Sequence, residues 1–172
     1  DCFVDLQGGE IPLRPDLWPD LVEPFLVGGV GMGTLKRVID STEDLLNPAV
    51  VKVVTDAKGD ALYFSRAPIP LVRDDPKPQV VGGLHYIHLG LYIYTKETLL
   101  RLASLPTSRI EDAEKLEQLR ALDHGIRIRV WETKHASLRV DRPEDVPDVA
   151  ERLQEYLAVK RELKSSGMFF KG

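Results

Sequence analysis

The sequence predicts an α/β layered fold with a mixed, mostly parallel sheet. Apolar runs of strand length alternate along the chain with segments of helical periodicity, and such alternation is typical of α/β domains. Several of the runs are continuously apolar, as expected of strands that are covered on both faces. The 172 residues suffice for one hydrophobic core, and we predict a single domain over residues 1–172.

Composition narrows the class of protein. The net charge of −4 and the lack of a Lys/Arg run argue against a nucleic-acid partner. No apolar stretch of the sequence is long enough to span a membrane. The one cysteine, Cys2, excludes an internal disulfide and suits a reducing compartment, and the first residues do not resemble a signal peptide. We therefore expect a cytoplasmic protein without a membrane partner.

The first quarter of the chain predicts two strands with a short helix between them. Residues 2–6 form an apolar strand pattern that ends at Gln7 in a Gly-rich turn. Residues 16–27 have helical spacing that two prolines interrupt, and residues 33–38 predict the second strand. Ser41 then begins a capping-box pattern for a short helical turn.

Two apolar runs, 50–55 and 61–64, flank a turn that contains Gly59, and this pattern predicts a β-hairpin. Prolines follow at once and prevent the sheet ladder from continuing. Arg66 therefore lies at the end of a buried strand, where loops often collect ligand-binding residues. A surface ion pair is the alternative role for this arginine.

Residues 84–94 are the most strand-like run, and their continuous apolarity predicts a central strand covered on both faces. His85 and His88 would face opposite sides of it, which argues against a shared metal ion. His88 and Tyr92 would instead share one face with Gly90. They either line a ligand site or pack in the core.

The second half of the chain begins with two predicted helices. One covers residues 96–105, and the other begins at a capping box that Ser108 opens and runs to Asp123. Glu117 and Gln118 lie near the edge of the buried face of the second helix. Charged side chains in such a position are usually just solvated.

The end of the chain predicts two more strands and a last helix. Residues 126–131 alternate apolar and basic side chains, as in a half-exposed strand, and residues 137–140 form a short strand. Asp141 follows and can cap the last helix.

Polar side chains converge in this predicted fold, because ligands of α/β sheets bind at the carboxyl ends of strands. Gln7, Arg66 and Asp141 each follow a predicted strand end, and His88 and Tyr92 share a strand face. Residue chemistry alone therefore predicts an α/β domain with an anion site around Arg66.

Five segments form an ordered series of motifs along the chain. They read LQG (6–8), NPAVVKVVTDAKGDALYFSRAPIP (47–70), HLGLY (88–92), EKLEQLR (114–120) and DRPED (141–145). Together they resemble the 3-deoxy-manno-octulosonate (Kdo) cytidylyltransferases, also called CMP-Kdo synthetases. The long ordered series is specific, although each single piece is weak.

The resemblance implies a three-layer nucleotidyltransferase-like (Rossmann-like) fold. It implies transfer of CMP from CTP to the anomeric hydroxyl of Kdo, which gives CMP-Kdo and pyrophosphate for lipopolysaccharide synthesis. It also implies a homodimer, with CTP and Kdo as small-molecule substrates.

The resemblance further implies a role for each matching residue. Arg66 would grip the sugar carboxylate as a bidentate pair, and Gln7 would face the pyrimidine base. Asp141 would hold Mg²⁺ and, with Arg66, serve catalysis. The residues that would orient the sugar hydroxyls are His88, Tyr92, Glu117 and Gln118.

The sequence departs from the family on the nucleotide side. Gly9 stands where the family has a second magnesium-binding Asp, and Arg142 places a cation beside the metal position. The family's early phosphate-cradling loop has no match. The resemblance therefore implies an N-terminally truncated chain, the C-terminal two-thirds of a cytidylyltransferase domain. We expect weak acid-sugar binding and poor or no turnover.

Two alternatives stay open from the sequence. The chain could be a non-catalytic remnant that acts as a dimeric or acid-sugar-binding module. It could also be a cytidylyltransferase for a different acid sugar, such as an 8-amino relative of Kdo or a sialic acid. The intact LEQLR segment favours the Kdo group over sialic acids.

Overall fold

A computed structural model describes residues 2–6, 10–11, 17–74, 79–135, 138–139, 147 and 150–151. Within these residues the strands are β1 Cys2–Leu6, β2 Glu10–Ile11, β3 Met32–Val38, β4 Lys52–Thr55, β5 Ala61–Ser65, β6 Tyr86–Thr95, β7 Arg129–Glu132 and β8 Leu138–Arg139. The helices are α1 Leu17–Gly28, α2 Thr42–Leu46, α3 Lys96–Ser104, α4 Arg109–Glu114 and α5 Gln118–Asp123.

The main sheet has the strand order β5-β4-β6-β3-β7, and β1 also pairs with β6. The mixed α/β sheet is therefore confirmed, but the prediction of mostly parallel strands is wrong. Among the described strand pairs only β3 with β7 is parallel. A continuously apolar strand sequence indicates that both faces of the strand are covered, but it does not indicate whether the neighbouring strands are parallel or antiparallel.

Helices cover both faces of the sheet, which confirms the predicted three layers. On one face Leu21 of α1 and Leu45 of α2 pack with Leu35 and Ile93 of the sheet. On the opposite face Leu102 of α3 and Leu119 of α5 pack with Tyr92 and Val53 in a second core cluster. Strand β6 contributes to both clusters, as predicted for a central strand.

The pairing of β3 with β6 shifts register within the ladder, but the side chains of β6 still alternate between the two clusters. Thr34 of β3 is paired with Tyr92, but the next residue, Leu35, is paired with Leu89. The ladder therefore skips two residues of β6, and because this number is even the side chains of β6 keep alternating between the two faces of the sheet. His88 and Tyr92 stay on one face as predicted, with their ring centroids 5.3 Å apart.

The predicted hairpin is confirmed as the antiparallel pair β4 and β5. Asp56 stabilises its turn, because its Oδ1 accepts hydrogen bonds from the backbone N–H groups of Lys58 (2.8 Å) and Asp60 (2.9 Å). Gly59 adopts φ +86°, a conformation that glycine reaches without steric cost. The hairpin thus delivers Ser65 and Arg66 to a defined end of the sheet.

The helix predicted up to Asp123 is interrupted. Its capping box between Ser108 and Glu111 is confirmed, but α4 ends at Glu114 and α5 begins at Gln118. Lys115 lies between them in the left-handed region, with φ 52°. No Gly or Pro marks this break, and a tertiary contact described below supports it.

The second, two-stranded sheet pairs β2 with β8, with Glu10 opposite Arg139. Gln7, Gly9, Asp141 and most of the helix predicted after it lie outside the described residues. Within the described ranges, every helix is too short or too polar to cross a membrane.

A substitution of Gly33 on β3 tests how tightly the sheet is packed. A Cβ added there would lie 2.3 Å from Cζ3 of Trp131 and 3.2 Å from Cγ2 of Ile93. We expect Gly33→Ala to lower the free energy of unfolding by about 1–3 kcal/mol, because overpacking forces neighbours to move. Urea denaturation measures this change. Gly82→Ala is the control, since an added Cβ there meets no described atom within 4 Å, and equal stability of the two variants would contradict the packing.

Candidate functional site

A cavity of about 120 Å³ lies on the α3 and α5 side of the sheet. It brings together side chains from strands β1, β3 and β6, from helix α3 and from the beginning of α5. The polar or aromatic residues that line it are Asp5, Tyr92, Tyr94, Glu117 and Gln118.

The cavity is rich in hydrogen-bond acceptors. The side chain of Gln118 is 3% exposed, and its Oε1 has no hydrogen-bond partner among the described residues. Asp5 and Glu117 add two carboxylates to the same lining. Leaving a buried acceptor without a donor costs about 1–3 kcal/mol. The arrangement therefore favours a ligand that brings hydroxyl or ammonium donors.

Tyr94 supplies a protonated phenol beside these carboxylates. Burial raises the pKa of the Tyr94 phenol above its usual range, and the nearby negative charges of Asp5 and Glu117 raise it further. Its ring stacks on that of Tyr92 at a centroid distance of 5.9 Å. Tyr94 is thus a neutral hydrogen-bond donor and a rigid wall next to Tyr92.

His88 lies behind Tyr92, in the core. It is 3% exposed, and its Nε2 lies 3.0 Å from Oγ1 of Thr34. That hydroxyl donates its single hydrogen toward backbone carbonyls, at 2.7 Å from the oxygen of Leu91. From this network we assign the hydrogen on Nε2 of His88, so that the ring donates to Thr34. His88 therefore holds the Tyr92 ring in place from behind.

Arg66 crosses the junction between α4 and α5. Its guanidinium donates to three backbone carbonyl oxygens: Nε to Glu114 (2.7 Å), Nη1 to Pro48 (2.9 Å) and Nη2 to Lys115 (3.3 Å). Carbonyls at the end of a helix lack partners within the helix. Arg66 supplies donors to those of α4, and this contact explains how the helix can break at Lys115.

The side chain of Glu114 also contributes to the junction between α4 and α5. Its Oε1 accepts from Oγ of Ser65 (2.6 Å), and its Oε2 accepts from the backbone N–H of Arg66 (2.9 Å). Charge-assisted bonds of this kind are stronger than neutral ones. The strand end and the helix break are therefore fixed to each other.

Lys52 completes the support of Arg66. The lysine is fully buried, and its Nζ donates to the carbonyl oxygens of Val50 (2.6 Å), Arg66 (2.7 Å) and Asn47 (2.9 Å). Burial lowers the pKa of Lys52 to about 8, and the positive charge of Arg66 contributes in the same direction. Both ends of the Arg66 residue are thus held, its N–H by Glu114 and its carbonyl by Lys52.

An ion pair joins α4 to α5 on the other side of the break. Arg120 donates from Nη2 to Oε1 of Glu111 at 2.6 Å and from Nε to Oε2 at 2.8 Å. These bonds lower the pKa of the Glu111 carboxyl. The Glu117–Gln118 turn is therefore supported by the Glu111–Arg120 pair and by the Glu114–Arg66 contacts.

The structure brings some of the predicted site residues together. Tyr92, Glu117 and Gln118 line the cavity, and His88 contacts Tyr92 from the core. Arg66 is outside the described lining of that cavity, although it touches the residues just before Glu117. The ligand-binding roles assigned to all five, and to Gln7 and Asp141 outside the described residues, stay predictions.

Sequence reasoning missed three residues of this region. Tyr94 lies two positions after Tyr92 on the same strand, so strand alternation could have found it. Glu114 opens the EKLEQLR segment, but its role depends on Ser65, which is distant in sequence. Asp5 precedes the LQG motif and gave no signal of its own.

The magnesium prediction falls largely outside the described residues. Within them, no group of three or more His, Cys, Asp or Glu side chains could hold a metal ion. Asp141 is not described. Its role as a magnesium ligand stays a prediction.

Comparison with known proteins gives the class. A family model described as cytidylyltransferase matches residues 2–128. The chain belongs to the cytidylyltransferase family.

Particular relatives are more specific. The chain is 46% identical to the 3-deoxy-manno-octulosonate cytidylyltransferase of Trichlorobacter lovleyi over 162 residues, which are 90% of this chain and 64% of that relative. The protein of the same description from Geobacter sulfurreducens is 45% identical over 161 residues, with 90% and 64% covered. The resemblance inferred from the motifs is confirmed, and the chain spans somewhat under two thirds of these relatives.

Solved structures agree with the fold. The structure of CMP:2-keto-3-deoxy-manno-octonic acid synthetase complexed with CTP matches with a TM-score of 0.78 and 37% identity, over 90% of this chain and 63% of that one. The inositol-1-phosphate CTP transferase from T. maritima shares the fold, with a TM-score of 0.56 and 16% identity over 91% of this chain and 56% of that one.

The pKa of Lys52 gives a prediction about pH. The folded-state pKa is about 8 and the ordinary value is 10.5. Between these values the unfolded chain binds more protons, so this group makes the free energy of unfolding rise with pH. We therefore expect the free energy of unfolding of wild type, relative to that of Lys52→Met, to rise by about 1–2 kcal/mol between pH 7 and pH 9.5.

Urea denaturation at the two pH values measures that difference. An NMR titration of the lysine side chains reports the midpoint of Lys52 directly in the wild type. A Lys52 midpoint at or above its ordinary value, with no pH-dependent difference between the proteins, would show that the ammonium is not desolvated as described.

Proposed function

We propose that the chain takes part in transfer of CMP from CTP to the anomeric hydroxyl of Kdo, a reaction that serves lipopolysaccharide synthesis. The observation that carries the proposal is the acceptor-lined cavity of Tyr92, Glu117 and Gln118. The relatives described as 3-deoxy-manno-octulosonate cytidylyltransferases support the choice of sugar and of nucleotide.

The cavity chemistry suits the hydroxylated part of an acid sugar. Its volume of about 120 Å³ is below the roughly 300–1,000 Å³ of typical ligand pockets, so it would hold part of a ligand. Sugar hydroxyls would donate to Gln118 Oε1 and to the carboxylate of Glu117. Tyr92, backed by His88, would provide the wall against which the sugar lies.

The sugar carboxylate would belong near Arg66. Three of the five guanidinium N–H donors bind backbone carbonyls, and Nη1 and Nη2 can each offer a second N–H. A bidentate pair with a carboxylate uses two such donors. The carbonyl contacts would hold the guanidinium in a fixed orientation for that purpose.

In the proposed reaction the anomeric oxygen of Kdo attacks the α-phosphorus of CTP. The new O–P bond forms as the bond from that phosphorus to the β-phosphate oxygen breaks. Pyrophosphate leaves, and the hydroxyl proton passes to solvent. Such transfer depends mainly on positioning and charge neutralisation, and the described residues would contribute by orienting the acid sugar.

We retain the other partners as parts of the proposal. Mg²⁺ would be held by Asp141 and would neutralise phosphate charge, and Gln7 would face the base. The exposed apolar side chains of Leu71 and Leu84 support a homodimer. A cytoplasmic location fits the use of a nucleoside triphosphate.

A non-catalytic acid-sugar-binding module is the second candidate. The observation that favours it is Gly9 in place of the family's second magnesium-binding carboxylate. The cavity, by contrast, has its acceptors in place. The two candidates share Kdo binding and differ in turnover.

Calorimetry with Kdo tests the shared claim. We expect Glu117→Gln to weaken Kdo binding about 10- to 100-fold, because it removes a hydrogen bond to a charged acceptor. Glu43→Gln is the matched control, since this exposed glutamate lies on α2, far from the cavity lining, and its affinity should equal that of wild type. Absence of Kdo binding by the wild-type chain would contradict both candidates.

Pyrophosphate release with CTP, Kdo and magnesium separates the candidates. Turnover above the buffer rate supports CMP transfer. Kdo binding without turnover by the chain supports the binding module instead.

A further inference from the structure

Ser65, Arg66, Glu114 and Lys115 form reciprocal contacts that we call the strand-end lock. The Glu114 side chain accepts from the Ser65 hydroxyl and from the Arg66 N–H, at 2.6 and 2.9 Å. In return, the Arg66 guanidinium donates to the carbonyl oxygens of Glu114 and Lys115, at 2.7 and 3.3 Å. Each segment thus supplies both donors and acceptors to the other.

The lock lies next to a backbone conformation that needs support. Lys115 has φ 52° and ψ 47°, and residues other than glycine seldom adopt this left-handed conformation. Its side chain forms an ion pair with the exposed Asp112, and such a surface ion pair stabilises little. The backbone N–H groups of Lys115 and Leu116 donate to the carbonyl oxygen of Glu111. Arg66 adds the bonds to the carbonyls of Glu114 and Lys115, and these contacts together hold the break.

The break decides where the cavity acceptors point. A continuous helix would keep Glu117 three residues after Glu114 on a regular helical face. Instead α5 restarts at Gln118, with Glu117 at its N-cap, and both side chains line the cavity. Leu116, between the break and Glu117, is anchored in the core.

We propose that Glu114 is a positioning residue, which acts through the strand-end lock to hold Glu117 and Gln118 in their ligand-facing arrangement. This inference rests on the proposed function for the identity of the ligand, Kdo, but not for the lock itself. Glu114 is not among the residues that line the cavity. It connects Arg66, which is predicted to bind the sugar carboxylate, to Glu117 and Gln118, which are predicted to bind the sugar hydroxyls.

Substitutions of Glu114 distinguish the contribution of its side-chain length from the contribution of its charge. Glu114→Ala removes both acceptors. Glu114→Gln keeps the length: its Oε1 can accept from the Arg66 N–H, and its amide can donate to Ser65 Oγ, which has two lone pairs. Glu114→Asp keeps the charge but is one methylene too short to reach both partners. Asp112→Ala, on the same helix, is the matched control because Asp112 is exposed.

Hydrogen exchange tests the lock without any ligand. We expect Glu114→Ala to speed exchange of the amides of residues 66 and 116–119 at least about tenfold, because they lose local protection. Amides in β3 and β6 should be unchanged. No change at 116–119, or an equal increase throughout the sheet, would overturn the proposal. If Glu114→Ala does not fold, Ser65→Ala removes one contact from the other side and is used in its place.

Kdo calorimetry tests the consequence for binding. The dissociation constant should rise about tenfold or more for Glu114→Ala and Glu114→Asp, and stay within about threefold of wild type for Glu114→Gln and Asp112→Ala. Retained affinity in Glu114→Ala would overturn the positioning role. If the wild-type chain binds no Kdo, the proposed function fails, and the exchange experiment alone decides whether the lock exists.

Discussion

The contact between the end of strand β5 and the break between helices α4 and α5 determines the geometry of the candidate site. A carboxylate on one segment and a guanidinium on the other satisfy backbone groups that a strand end and a helix end would otherwise leave unpaired. Ser65 and Glu114 are distant in sequence, but Oγ of Ser65 lies 2.6 Å from Oε1 of Glu114, so this contact forms only once the hairpin and the helices have assembled. The site is thus a product of tertiary structure.

Much of the fold could be predicted from local pattern. The β4–β5 hairpin, the central strand β6 and the capping box at Ser108 all follow from rules that act over a few residues. Strand direction could not be predicted in this way. Strand β6 is apolar throughout because helices cover both faces of an antiparallel region, and its sequence looks the same as that of a parallel strand.

The site was predictable where strand alternation or a motif marked it. Tyr92 follows from the face it shares with His88, and Glu117 and Gln118 from the EKLEQLR segment. The break at Lys115 was not predictable, because apolar residues at 110, 113, 116 and 119 continue the helical period across it. Nothing local encodes a contact with Arg66. The family resemblance named Tyr92, Glu117 and Gln118, which line one cavity, but it did not explain how they come together.

A double-mutant cycle between Ser65 and Glu114 tests this account most directly. Ser65→Ala, Glu114→Ala and the double variant are compared with wild type by urea denaturation. A charge-assisted bond across the contact predicts a coupling free energy of about 1–3 kcal/mol. Effects of the two substitutions that add to within about 0.5 kcal/mol would mean that the two side chains do not interact, and the contact would not hold the site.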